Sequence, residues 1–370
     1  MSAVVIAGRP ALLRIPGRLD LPLVLGLAVL NALGLVILYS AGGQDLDVIV
    51  RQALRLALAY AVMLVVVHVP PHTLFRWAPW LYLGSVLLLL AVMVAGDIGK
   101  GAQRWLDLGF VRFQPSEIAK VTVPLMVARY LAERGPPPSL GRALVAAVII
   151  GVPTALIARQ PDLGTALLVG ASGAFVLFLA GLSWRLLGAL FASLAAAAPL
   201  VWLVLRDYQR QRVLTFLDPE TDPLGAGYHI IQSKIAIGSG GLYGKGWLNG
   251  TQSHLDFLPE RATDFIFAVV SEEFGLMGVA VLLGVYLFVV SRGMYLAAKA
   301  SDAFGRLLGG SLVLTFFVYV FVNVGMVSGL LPVVGVPLPL VSYGGTSLVT
   351  IMVGFGILLS LFTHRRHLPE

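Results

Sequence analysis

An all-α polytopic membrane protein with about ten transmembrane helices is what this sequence predicts, and three observations carry the prediction. Of 370 residues, 58% are hydrophobic and only 12% are charged, about half the ~25% charge of a soluble domain. Mean hydropathy is +0.89. The apolar residues gather into runs of about 20, long enough to cross the hydrocarbon core, where backbone without water must be helical.

In chain order, the spans are expected near 21–40, 53–69, 77–95, 115–133, 143–158, 164–181, 186–205, 265–290, 307–330 and 344–363. The first run, from Leu21, is long and has no small-residue cleavage site after it, so it reads as a retained span and not a signal peptide. An even number of spans puts both termini on one side. The terminus and loops of that side hold Arg9, Arg14, Arg18, Arg76, Arg134, Arg142, Arg185, Arg292, Lys299, Arg306, Arg365 and Arg366, against only Asp20, Glu133, Asp302 and Glu370. Loop bias of this sign places both termini in the cytoplasm. Residues 1–370 then form a single transmembrane domain, with 206–264 as a large extracytoplasmic loop between spans 7 and 8.

The sequence contains no cysteine, which excludes disulfides, thiolate metal sites and cysteine nucleophiles. Its net charge of +7 is spread along membrane loops, so no nucleic-acid partner is expected; scattered cations beside a bilayer suit anionic headgroups of membrane lipids.

Within the long loop, Tyr228–Ile237 has Ile230, Ile231, Ile235 and Ile237 at near-helical spacing, suggesting a short helix lying on the membrane surface. The glycines from Gly238 to Gly246 are expected to supply flexibility. A polar island follows, Asn249–Asp264, with Asp256, Glu260, Asp264, His254 and Arg261. Asp256 sits between Leu255 and Phe257, where a carboxylate has its ionised form disfavoured and its basicity raised. It reads either as a general base or as a structural group that caps the following segment or pairs with Arg261. Asp264 reads as the N-cap of the next span. Arg206, Arg210, Arg212, Lys234, Lys245 and Arg261, with Lys100, Arg104 and Arg112 of the 96–114 loop, can touch headgroups or grip a phosphorylated lipid by charge-assisted bonds.

Inside the membrane, Glu117 and Lys120 lie three apart at the start of the fourth span and can pair; ionisable groups at depth mark a pathway, a site or a locked helix contact. Of Glu272 and Glu273, one is expected to line a cavity, with Arg55 as a cationic mate. Pro332, Pro337 and Pro339 break helix before Ser342 and Thr346, and such backbone is expected to wall a cavity.

Four segments, NGTQSHLDFLPERATDFIF (Asn249–Phe267), GLLPVVGVPLPLVSYGGTS (Gly329–Ser347), RWLDLGFVRFQPSEIAK (Arg104–Lys120) and QPDLGT (Gln160–Thr165), together resemble the SEDS family of bacterial shape, elongation, division and sporulation proteins. The resemblance runs over nearly the whole chain, and the first segment is closer to the elongation branch than to the division branch. It implies a peptidoglycan glycosyltransferase of the bacterial inner membrane that polymerises lipid II for cell elongation and rod shape. It further implies that Asp256 is the catalytic residue and that a class B penicillin-binding protein, a transpeptidase, is the partner; Gly344-Gly345 and Gly354–Gly356 are a candidate contact. Arg210, Arg212, Lys234, Lys245, Glu117, Lys120, Arg104, Ser342 and Thr346 are the expected diphosphate or cavity residues, with or without a divalent cation, Mg or Mn. A lipid II flippase and a non-catalytic scaffold are the competing readings.

Overall fold

The computed structural model describes residues 19–99, 102–107, 112–135, 137–182, 225–254 and 260–364, with isolated positions between 188 and 218. The helices are α1 (Leu21–Ala41), α2 (Leu46–Val67), α3 (Pro71–Ala95), α4 (Pro115–Ala132), α5 (Leu140–Arg159), α6 (Leu163–Leu179), α7 (Ala226–Gly240), α8 (Thr251–His254), α9 (Ile266–Ala298), α10 (Ala303–Val327) and α11 (Thr346–Thr363). Every expected span has its helix except the one at 186–205, which falls outside the described residues. Among the described residues, seven helices are long and apolar enough to cross a membrane.

Helix α4 is the least apolar of the spans, with Glu117, Lys120 and Arg129. Its surroundings explain how it can be so: it packs on α3, α5, α6, α10 and α11, so its polar face meets protein and not lipid. One core is built from α1, α2, α9, α10 and α11; a second joins α3–α6 to α10 and α11.

The 96–114 loop carries a small antiparallel sheet, β1 (Asp97–Gly99), β2 (Ala102–Asp107) and β3 (Arg112–Phe113), in the order β1-β2-β3. Helix α7 forms where the isoleucine spacing predicts it. One face packs against protein: Ile230, Ser233 and Ala236 are buried, and Ser233 Oγ donates to Val327 O at 2.8 Å. Two expectations fail. Phe265, not Asp264, is the N-cap of α9, without a side-chain bond. The Gly354–Gly356 face is buried, and a Cβ on Gly356 would lie 2.9 Å from Met63 O of α2, so that small-residue surface is spent on an internal helix contact.

Asp20 caps α1 by accepting from Leu23 N at 3.0 Å, and it accepts twice from Arg292 of α9, Nε at 3.0 Å and Nη2 at 2.6 Å. Burial pushes its carboxyl up, but these bonds outweigh burial and hold it below the usual carboxylate value. A lowered folded pKa means the bridge stabilises above the unfolded value of about 3.9 and is lost as pH falls through the folded one. Asp20→Asn is therefore expected to cost about 1–2 kcal/mol near neutral pH, with the gap between variant and wild-type melting curves closing in acid.

Candidate active site

Helix α9 is broken at Gly275, where φ is 62° and ψ is −163°, a region essentially reserved for glycine. The break releases backbone groups that lipid cannot satisfy, and the loop 241–246 satisfies them. Lys245 N and Gly246 N donate to the carbonyls of Glu272 and Glu273, each at 3.0 Å; Leu276 N and Met277 N donate to Gly241 O at 3.0 Å and Leu242 O at 3.1 Å. The approach is so close that a Cβ on Gly244 would fall 2.1 Å from Glu273 O. The expected flexible glycine linker is thus a fixed splint. Gly244→Ala, at φ 78°, is expected to destabilise by about 2 kcal/mol or more, read as a lowered melting temperature.

The side chains continue the joint. Glu272 has no exposed surface and accepts from Lys245 Nζ at 2.7 Å, Gln252 N at 2.9 Å and Thr251 Oγ1 at 3.1 Å. Lys245 Nζ also donates to Thr251 Oγ1 at 2.7 Å. Glu273 accepts from Ser40 Oγ of α1. Neither glutamate meets Arg55, contrary to expectation. Sequence reasoning found Lys245 and Glu272 separately but not together.

Asp256 and Arg212 lie outside the described residues, yet both ends of the Asp256 segment are held. Its front is α8, tied to Glu272. Behind it, Arg261 Nε donates to Ala41 O at 2.9 Å, Ala262 O accepts from Tyr343 N at 2.8 Å, and Thr263 O accepts from Ser342 Oγ at 2.5 Å. Ser342 Oγ also accepts from Leu338 N at 2.8 Å, so this hydroxyl, expected in a cavity, braces the broken segment 331–345. Asn323 Nδ2 and Tyr286 OH brace it further, donating to Val336 O at 2.7 Å and Pro339 O at 2.6 Å.

Tyr343 lies under the guanidinium of Arg55, 4.5 Å from the ring centroid, and Arg55 opens onto a cavity of about 580 Å³ between α2, α3, α4 and α11. Glu117 and Thr346 share its polar end with Arg55, while Val66, Val69 and Leu74 line the other. The eleven steps from Arg55 to Val66 rise about 16 Å along α2. The cavity is therefore a deep apolar groove with charge at the end beside the Ala262–Tyr343 bond. Arg55 is a candidate site residue that the sequence reading placed on the wrong partner; an arginine inside a span was the available signal.

The remaining expected residues separate. Glu117 and Lys120 do pair, Nζ to Oε1 at 2.6 Å, while Glu117 Oε2 is buried with no hydrogen-bond partner among the described residues. Arg104 stands 3.7 Å from Asp162, which also accepts from Gln114 Nε2 at 2.9 Å. Lys234 is exposed on α7, its Nζ 2.8 Å from where a Gly329 Cβ would stand. Arg210 is half-buried. Among the described residues, no three His, Asp or Glu side chains gather into a cation-binding group.

Helices and groove define a multi-pass membrane protein with a deep apolar cavity that ends at Arg55 and Glu117. The family model for the cell cycle proteins FtsW, RodA and SpoVE matches residues 17–367, and the chain belongs to that family. It is 58% identical over 354 residues to the peptidoglycan glycosyltransferase MrdB of Escherichia coli K12, covering 95% of this chain and 96% of that one. Among solved structures, it resembles a chain of a peptidoglycan synthase complex coordinating polymerization and crosslinking, with TM-score 0.82, 37% identity, and coverage of 94% and 98%. It also resembles the rod shape determining protein RodA of Thermus thermophilus, with TM-score 0.72, 32% identity, and coverage of 94% and 97%.

Proposed function

We propose that the chain is a peptidoglycan glycosyltransferase of the bacterial cytoplasmic membrane that polymerises lipid II during cell elongation, with both termini inside and the reaction on the outer face. The family and the 58% identity to MrdB support the activity. The observation that carries the site is that the Asp256 segment, held at both ends, is tied through Ala262 and Tyr343 to the charged end of the groove. Ala262 lies six positions after Asp256, a reach of at most about 22 Å.

In this reading the polyprenyl chain lies in the groove and its diphosphate stands by Arg55. Asp256 takes the proton from the sugar 4-hydroxyl of one lipid II as that oxygen bonds to the anomeric carbon of another. The anomeric carbon–oxygen bond breaks in the same displacement, and undecaprenyl diphosphate leaves with the electron pair. A diphosphate needs no protonation to leave, so a second carboxylic acid of the glycosidase kind is unnecessary. Cations offset its charge: Arg55, with Arg210, Arg212 and Lys234 as outer candidates. Lys245 is committed to Glu272, which weakens its case. The α-linked donor becomes a β-linked product by one inversion, with no covalent sugar–enzyme species. A magnesium or manganese ion on the diphosphate would neutralise charge in the same way, but the described residues offer no donor set for one, and no step here depends on it.

A class B penicillin-binding protein is the proposed partner, in keeping with the synthase complex among the structural matches. The test uses purified chain, that partner with its transpeptidase serine replaced, and lipid II in detergent. Glycan strands are the expected product; none would leave the flippase or scaffold reading in its place. Arg55→Gln is expected to raise the KM for lipid II about tenfold, the loss of one charge-assisted bond.

A further inference from the structure

The paired ions at the α9 break have no role in the displacement just described, and their placement suggests one. Glu272 is a fully buried carboxylate, a costly group unless fully satisfied. It spends three acceptor contacts on the outer loop, from Lys245 Nζ, Thr251 Oγ1 and Gln252 N. Packing alone does not require this: an apolar side chain of similar size fills the same space without a charge to compensate. What the carboxylate adds is direction. Its bonds to Thr251 and Gln252 orient α8, a single turn of four residues that is too short to hold itself. Asp256 follows Gln252 by four residues, so its distance from this anchor cannot exceed about 14 Å. The platform beneath is rigid, because the carbonyls of Glu272 and Glu273 are bonded to Lys245 N and Gly246 N across the Gly275 break.

We infer that Glu272 and Lys245 form a clasp that positions the catalytic segment, with Glu272 as a positioning residue for Asp256 and Lys245 as the counter-ion that holds and aims its carboxylate. The inference rests on the glycosyltransferase reading for its kinetic consequence, not for its structural one. A misplacement of about 1 Å at a catalytic group is enough for large rate losses. A residue that only positions a base therefore changes kcat and leaves substrate binding in the groove alone.

The test has two arms on the full-length protein in nanodiscs with its transpeptidase partner. Glu272→Gln keeps the shape and removes the charge, and Lys245, 27% exposed, turns to water. The expected result is a kcat for lipid II polymerisation at least about tenfold lower with KM within about twofold. The double variant with Lys245→Met is expected to be no slower than Glu272→Gln alone, because the two act as one unit. In the second arm, spin labels at His254→Cys and Val50→Cys, in a chain with no other cysteine, report the distance from α8 to α2. Glu272→Gln is expected to broaden that distribution. An unchanged kcat, a loss carried by KM, or an unchanged distribution each overturns the clasp. Should Glu272→Gln fail to fold, Thr251→Val at an exposed position decides by the same two readings, with a smaller loss expected and no change again fatal. Activity surviving Asp256→Ala would remove the catalytic assignment, while the label distances would still judge the clasp.

Discussion

Asp256→Ala is expected to lower lipid II polymerisation by about 10²–10⁴-fold, the usual contribution of a positioned general base, with the melting temperature close to wild type. The size of the effect follows from the chemistry. With a diphosphate leaving group, bond breaking at the anomeric carbon needs no acid, so the unassisted weakness is the nucleophile, a sugar alcohol that stays protonated at neutral pH. In the proposed mechanism one carboxylate carries that burden. Asp256→Asn separates its two possible duties: the amide preserves size and can hold the hydroxyl by a hydrogen bond but takes up no proton. Equal losses in Ala and Asn identify proton transfer; near-wild-type activity in Asn reduces Asp256 to a positioning group. The KM for lipid II is expected to change little in either, because the proposed site holds the polyprenyl chain and diphosphate in the groove and not by this residue. Strand length and yield from purified lipid II, run beside melting curves, give the answer.

What the sequence made legible follows the range of the interactions involved. The helices were visible because each is a local run of apolar residues, and the pairing of Glu117 with Lys120 because three residues on one helix fix a shared face. The joint between Lys245 and Glu272 bridges 27 positions, and nothing local links a lysine after a glycine run to a glutamate inside a span. The glycines at 238–246 were misread for the same reason. Composition alone makes them a flexible tether, but Gly244 and Gly275 are glycine because two backbones meet there with no room for a Cβ. Ser342 sits in a motif that breaks helix, which suggested a cavity wall over 331–345; of that segment only Gly345 lines the groove, and the partners Leu338 N and Thr263 O make Ser342 a brace. The strands at 97–113 were too short, two to six residues each, to give an alternation that stands out from a polar loop.

Lys120→Met is expected to destabilise the protein by about 3–5 kcal/mol, the cost of stranding a buried charge. Both partners are nearly sealed, with side chains 6% and 8% exposed, and the ammonium also stands 5.0 Å from the Tyr319 ring centroid. Removing it leaves Glu117 with its one bonded oxygen bare and Oε2 already without a partner. The surroundings offer little relief. On one side is the apolar groove, and on the other, around Lys120, Thr315, Tyr319 and Thr350, a cavity of about 40 Å³, room enough for a single water. The double variant Glu117→Gln/Lys120→Met removes the stranded charge as well, so it is expected to be more stable than Lys120→Met alone despite carrying one more change. That inversion of order distinguishes a compensated buried pair from two side chains that merely pack, for which losses would add. Denaturant or thermal unfolding in one detergent across wild type, both single variants and the double variant measures it. A Lys120→Met protein that unfolds with the wild type would mean that the Glu117 charge reaches water through the groove, and the groove would then be wetter at its charged end than its lining implies.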